Sequence, residues 1–461
     1  MRGIRGYMTA ALAAVALMAA PALRAETLTD ALIAAYRNSN LLDQNRALLR
    51  ATDEDLAVAV SNLRPVIDFT ARSTYTYAEG QNLLGAATVS ETLSTVFVLA
   101  AELMLYDYGR RALAVSSAKE SVLATREALI DLEQRVLLAA VDAYVRVRLN
   151  EEIVLLRQSN VRVITQEQRA AEDRFEVGEV TRTDVAIAES RLASARANLA
   201  EAQGNLALAR ESYKVATGAY PGRLAPPPAA PRRAASLEDA RVVARRGHPA
   251  IRQAQREVTI SDLSVQIAAA NMGPTLSARA QLSTDDNGED TRSLGLTYNQ
   301  TIYAGGRLSA LYRRALAGRD SSRANLLQTV LLIEQSIGNA WANLSVAGAS
   351  IEATDRQIRA AQTAYDGVRE EAALGARTTL DVLNAEQELL DAKASRLSAE
   401  ATRYIAVYTL LQSMGLLTVD HLRLGIPTYD PAAYYNAVRN APATSSQGKS
   451  LDRVMKSIGR N

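Results

Sequence analysis

The chain contains no cysteine and only two histidines, His248 and His421, among 461 residues. Disulfide frameworks, thiolate metal sites and cysteine nucleophiles are thereby excluded, and histidine-based catalysis is poorly supplied. An excess of one charge is missing too. The 52 Lys and Arg are interspersed with 50 Asp and Glu, so no basic block offers itself to nucleic acid. Long apolar runs are absent beyond the N-terminus, because charges interrupt every helical stretch, and this excludes a helical membrane span. No grouping of acids, bases or nucleophiles marks an enzyme, and neither a cofactor nor a metal is expected.

The N-terminus does carry a signal. Arg2 and Arg5 precede an apolar run from about Met8 to Ala20, and Pro21-Ala22-Leu23-Arg24-Ala25 ends in a small residue before Glu26. This reads as a secretory signal peptide over 1–25, the run being too short for an anchor. With no cysteine at the cut, the exported chain is expected to lack an N-terminal lipid anchor, so contact with a membrane has to come from the fold.

Four short segments alternate with period two. In Val66–Tyr77 the apolar or aromatic Ile67, Phe69, Ala71, Tyr75 and Tyr77 interleave with Asp68, Thr70, Arg72, Thr74 and Thr76. Thr92–Tyr106 places Leu93, Phe97, Leu99, Ala101, Leu103 and Leu105 on one face. Leu276–Ser283 and Ser293–Ile302 alternate likewise. Each is close to the roughly ten residues a tilted strand needs to cross a bilayer. Polar, Gly-containing loops are expected at Glu79–Ser90 and Asp285–Asp290. Four strands cannot close by themselves, and an open edge in lipid leaves backbone groups unpaired. A barrel would have to be shared, with two or three copies both permitted.

The remainder reads as long helix. From about Asp107 to Glu176 there is no proline, and Gly109 at the start is the sole glycine; about 70 helical residues span on the order of 100 Å. Apolar positions recur every seven residues through Val115, Val122, Leu129, Val136 and Ala143, a coiled-coil pattern. After Gly178 the chain returns with Val185, Ala188, Leu192, Ala195, Leu199, Ala202, Leu206 and Ala209, larger residues alternating with alanine. A shorter helix over Leu28–Leu63 and this return helix together roughly equal the long one in length.

The whole arrangement is written twice. VGEVTRTDVAIAES, Val177–Ser190, returns as LGARTTLDVLNAEQ, Leu374–Gln387, aligning Gly178 with Gly375, Thr181 with Thr378, Asp184 with Asp381 and Glu189 with Glu386. At the same offset Tyr106–Arg110 matches Tyr303–Arg307, and at a larger one Thr27-Leu28 and Pro65 match Ser236-Leu237 and Pro274. The difference falls between Pro65 and Tyr106, so the first hairpin is the longer. Repeat 1 thus covers 26–220 with its hairpin at 66–106 and a tip turn at 177–184. A Pro-rich linker follows at 221–235, then repeat 2 at 236–424 with its hairpin at 275–303 and tip turn at 374–381. A flexible polar tail is expected at 425–461. Gly178 and Gly375 permit the turns. Thr181 and Thr378, three residues ahead of Asp184 and Asp381, read as helix N-caps with an acid in the first turn. Trp341, Tyr144 and Tyr213 read as packing residues, Tyr75, Tyr77 and Tyr298 as a candidate aromatic girdle, and His248 as a helix break before Pro249.

Tandem repeat, hairpins ending in Tyr106–Arg110 and Tyr303–Arg307, and the paired tip turns resemble the TolC-type outer-membrane channel family, over nearly all of Glu26 to about Leu424. The resemblance implies a mixed α/β membrane protein: a homotrimer whose twelve strands form one barrel in outer-membrane lipid and whose helices form a periplasmic α-barrel of long coiled coils. It implies the outer membrane of a Gram-negative bacterium as the location. Partners would be a periplasmic adaptor, docking on tip residues Val177, Gly178, Thr181, Leu374, Gly375 and Thr378, and an inner-membrane transporter, ABC or proton-driven. Asp381 would line the closed periplasmic entrance as a carboxylate ring that attracts cations. Thr183, Asp184 and Arg377 occupy positions of interhelical contacts that hold such entrances shut. Two residues depart from the pattern: Asn384 stands where a second ring Asp is expected, and Ala372 where an aromatic closing contact is expected, so any lock should be weaker. The function implied is a passive exit duct for type I protein secretion, small-molecule efflux, or both; the missing anchor cysteine and the tail YDPAAYYNAVRN resemble the secretion-associated branch. The reading from another class is a pore-less exported coiled-coil scaffold or adaptor.

Overall fold

The computed structural model describes residues 25–81, 87–232 and 234–441, together with Arg453. Nearly all of the expected signal peptide and most of the tail beyond 441 lie outside the described residues. The chain order is α1 (Leu28–Asn38), α2 (Asn40–Ser61), β1 (Val66–Gln81), β2 (Ala87–Tyr106), α3 (Arg110–Glu176) and α4 (Arg182–Thr217). It continues with α5 (Leu237–Gly247), α6 (Pro249–Ala270), β3 (Thr275–Asp285), β4 (Asp290–Asn299), α7 (Arg307–Ala373), α8 (Thr379–Ser413) and α9 (Pro431–Val438).

The duplication is structural as well as sequential. Helices α3 and α7 are each 67 residues long, α2 and α6 each 22, and α1 and α5 each 11. The single helix expected over Leu28–Leu63 is broken at Ser39, as its counterpart is at His248, and both residues are extended, with ψ of 106° and 127°. Different chemistry produces the same break. The Ser39 hydroxyl accepts from the Leu42 amide at 3.3 Å, starting a new helix, whereas Pro249 bars its predecessor from helical backbone.

Two compact units emerge. Among the described residues, the first comprises those up to Leu42, Leu132–His248 and Ile333–Thr428. Its core includes Ala240 and Ala244 of α5, Ile337, Ala340 and Leu344 of α7, and Val407, Leu410 and Met414, with Trp341 packed against them. The linker is pinned here rather than free. The Glu26 amide donates to Arg223 O at 2.8 Å, and the buried Tyr144 hydroxyl donates to Ala225 O at 2.6 Å. Tyr213, also buried, donates its hydroxyl to Glu26 Oε1, and burial pushes both phenols above their ordinary pKa.

The second unit comprises, among the described residues, Asp43–Asp131, Pro249–Leu332 and the chain from Tyr429 onward, and holds a four-stranded antiparallel sheet in the order β1-β2-β3-β4. Its register decides which side chains share a face. Phe69 opposes Leu99, Leu99 opposes Leu282, and Ala280 opposes Leu294, while Leu276 opposes Tyr298. One face therefore carries an apolar band that runs across all four strands, with Arg292 of β4 opposite Leu282 and the polar pairs Ser73–Thr95 and Thr284–Asp290 toward the hairpin ends. It includes Tyr75, opposite Leu93, and stacks Phe69 on Phe97 with centroids 6.4 Å apart. The other face pairs Asp68 with Ala100, Gln281 with Ser293, and Glu102 with Arg279, the last two 3.8 Å apart. Both faces are largely exposed, with Leu294 at 82%.

Three expectations are corrected in this unit. The first hairpin extends beyond Tyr77 and Thr92 to Gln81 and Ala87, so much of the expected loop Glu79–Ser90 is strand; 82–86 lie outside the described residues. Ile302 falls outside β4, because pairing stops at Thr275 with Asn299 and Pro274 before it has no amide to donate. The tail begins ordered: α9 is capped by Asp430, whose Oδ1 accepts from the Ala432 amide at 2.8 Å, with Pro431 in the first turn. Tyr429 and Tyr435 pack on a core of Leu49, Leu56, Val115 and Val122, and the Arg126 guanidinium lies 4.9 Å from the Tyr435 ring centre. Two half-buried aromatics and a cation–π contact outweigh the polarity that suggested mobility.

Candidate functional site

Both tip turns are built alike. Helix α3 ends in a left-handed residue, Gly178 (φ 79°), with the Gly178 amide donating to Phe175 O at 3.0 Å and Glu179 to Arg174 O at 2.9 Å. Helix α7 ends the same way at Gly375 (φ 79°), its amide bonding to Ala372 O at 3.0 Å and that of Ala376 to Glu371 O at 2.9 Å. This paired 5→2 and 6→1 closure needs positive φ, which glycine adopts without a Cβ penalty. Val177 and Leu374, the residues before each glycine, are 71% and 86% exposed.

The next helix then starts with a reciprocal cap. Thr181 Oγ1 accepts from the Asp184 amide at 3.3 Å, and Asp184 Oδ2 accepts from the Thr181 amide at 2.9 Å and its hydroxyl at 2.7 Å. Thr378 and Asp381 repeat this at 3.2, 3.0 and 2.8 Å. Hydrogen bonds to Thr181 hold Asp184 below the ordinary carboxylate pKa. Asp381 is lowered by its bonds to Thr378 and, less, by Arg377. Both acids thus stay ionised, as a charged ring requires, while serving as caps.

Arg377 turns to its own helix end and donates to Glu371 at 2.8 Å; it does not bond Thr183 or Asp184 within the chain. Thr183 is exposed. Asn384 is the member of the predicted set that reaches the other repeat, its Oδ1 accepting from Arg191 Nη2 of α4 at 2.7 Å. Sequence reasoning missed a second tie: Asn160 Nδ2 of α3 donates to Glu386 Oε1 of α8 at 3.0 Å. Glu386 is 7% exposed, its other oxygen has no hydrogen-bond partner, and burial pushes its pKa up to about 7. Leu383 packs beside it with Ile164, Leu192 and Ala195. The repeat alignment of Glu189 with Glu386 was the available signal, yet alignment does not tell which copy is buried.

No helix among the described residues is long and apolar enough to cross a membrane, and no cluster of metal-ligating side chains occurs among them.

Comparison with known proteins follows the same geography. The family model for outer membrane efflux proteins matches residues 32–219 and 241–416. The outer membrane efflux protein BepC of Brucella suis is 35% identical over 422 residues, covering 90% of this chain and 91% of BepC. The outer membrane protein TolC of Escherichia coli is 24% identical over 342 residues, covering 69% of each chain. Among solved structures, the CmeC outer membrane channel of Campylobacter jejuni superposes with a TM-score of 0.75 at 16% identity, over 91% of this chain and 90% of CmeC. At that identity the likeness is one of fold.

Proposed function

The chain belongs to the outer membrane efflux protein family, a family of outer-membrane channels rather than enzymes, and from that premise we propose that it is the passive exit duct of a tripartite export system. The reading rests on the sheet. Its four strands carry an apolar band on one face, crossed by Arg292 opposite Leu282, and leave the outer edges of β1 and β4 unpaired. In lipid those edges have to be closed, and three copies of four strands close them as a twelve-stranded barrel with the apolar face outward. The long helices of the same three copies line a periplasmic tunnel, with the tip turns at its inner end.

There the exposed Val177 and Leu374, with Gly178, Thr181, Gly375 and Thr378, present the surface for a periplasmic adaptor, through which an inner-membrane transporter, ABC or proton-driven, supplies the energy. Three copies of Asp381 form a ring of fixed negative charge at the entrance, favouring cations and repelling anions. Efflux is the role that the name of BepC favours, with small toxic molecules as the proposed cargo, and the tail resemblance adds type I protein secretion. A pore-less scaffold leaves the apolar sheet face without a purpose.

Native mass measurement on detergent-extracted outer membranes tests the assembly. A trimer that survives mild heating is expected, and a soluble periplasmic monomer would overturn the reading. Cargo is separated by deletion: hypersensitivity to toxic compounds indicates efflux, and loss of a protein from the culture medium indicates secretion.

A further inference from the structure

Helix α8 is held from two sides. Asn384 and Glu386 are two residues apart and so point about 200° apart around the helix. Asn384 meets Arg191 of α4, and Glu386 meets Asn160 of α3. Leu383 fills the space between, packed on Ile164 and Leu192.

The chemistry at Glu386 is unusual for a helix-packing position. Its carboxyl is buried with a single amide donor, and no cation compensates it. The charged group acting on it from α3 is another acid, Glu167, and from α7 the half-buried Tyr365 phenol senses it. Nearby cations act elsewhere: Arg157 lies 3.8 Å from Asp391, and Arg369 acts on Tyr365. A carboxylate in that setting is costly, whereas a neutral carboxyl still accepts from Asn160.

Resting on the channel reading above, we infer that Asn160, Arg191, Asn384 and Glu386 form a proton-binding clasp, which ties α8 to the first repeat while Glu386 is neutral and loosens when its carboxyl ionises. The sign follows from burial. Packed, Glu386 titrates at about 7; freed into water it returns to the ordinary 4.5. The clasp's contribution to the closed arrangement is full below the ordinary value and is lost as pH rises through about 7, a decrease in the closed-to-open ratio of up to about three-hundredfold per chain. Channel tips in acidified periplasm stay shut, and near neutrality the adaptor has less to overcome.

Because the chain has no native cysteine, spin labels on Val177→Cys and Leu374→Cys report the separation of the two tips of the full-length protein in detergent. Between about pH 5 and about pH 8 the parent should pass from one narrow distance distribution to a broader, longer one. Glu386→Gln, neutral at every pH and able to keep the Asn160 bond, should retain the acid distribution throughout. Arg191→Ala should show the parent's neutral-pH distribution even in acid. A parent that does not respond to pH, or Glu386→Gln that responds as the parent does, would overturn the clasp. Should Glu386→Gln fail to assemble, an Arg191→Ala distribution identical to the parent's in acid overturns it equally. Bilayer conductance of the same samples separates the two readings: pH-dependent tips without conductance sink the channel and leave the clasp, and conductance with pH-independent tips does the reverse.

Discussion

The two tip turns share sequence pattern, glycine geometry and cap, yet their helices are packed differently. Helix α4 buries a narrow seam, Ala188, Leu192, Ala195, Ala202 and Ala209 ahead of Tyr213. Helix α8 buries a wider face that includes Val382, Leu383, Glu386, Leu389 and Leu390. The aligned acids diverge accordingly, with Glu189 exposed and Glu386 buried. Local chemistry was duplicated with the repeat, while the surroundings assigned the two copies separate tasks: one turn is a plain cap, the other a cap beside a buried titratable group.

Charge reversal should break the equivalence most strongly. Glu386→Lys places a charged ammonium in the buried space of a neutral carboxyl, with the loss of the Asn160 bond, and is expected to cost about 3 kcal/mol, whereas exposed Glu189→Lys should stay within about 0.5 kcal/mol; comparing thermal midpoints of the two variants checks this. Substitutions of the shared machinery should instead show equal effects. Gly178→Ala and Gly375→Ala each force a Cβ into left-handed backbone, at about 1–2 kcal/mol apiece, and since nothing lies within 4 Å of either added methyl, the cost is backbone strain alone. Unequal costs by the same melting assay would mean that one turn is supported from outside itself. Thr181→Ala and Thr378→Ala should each lose about 1 kcal/mol, seen as faster amide exchange in the first turn of α4 or α8, with serine restoring protection.

The smallest effect is one of acidity. Because the folded pKa of Asp184 and Asp381 is depressed, their caps contribute fully above the ordinary 3.8 and fade only as pH falls through the lowered values. Amide exchange in the first turn of α4, and in that of α8 with Glu386→Gln in place, corrected for its intrinsic pH dependence, should therefore hold steady from neutrality to about pH 4. Loss of protection in that range would show that the caps depend on something other than these carboxylates.

What the sequence made legible was local or periodic. Glycine, threonine and aspartate at fixed spacing announced both turns because each cap closes within three residues. Alternation announced four strands because the sheet has one apolar face. The clasp was illegible because Asn160 and Glu386 are 226 positions apart and neither residue type is distinctive on a helix. Asn384 looked like the loss of an acid, while its amide oxygen serves as an acceptor for Arg191, a partner 193 positions away. The Ser39 break escaped notice for want of a proline, and α9 escaped because its anchors, Tyr429 and Tyr435, sit in a polar tract whose packing surface lies on α2 and α3.

The most direct test of the channel with a charged entrance is the reversal potential in a planar bilayer under a salt gradient, parent against Asp381→Ala. A small cation-selective conductance in the parent that loses its selectivity in the variant is the expected result. Absence of conductance from trimeric protein would contradict the channel, and unchanged selectivity in Asp381→Ala would reduce that aspartate to a helix cap.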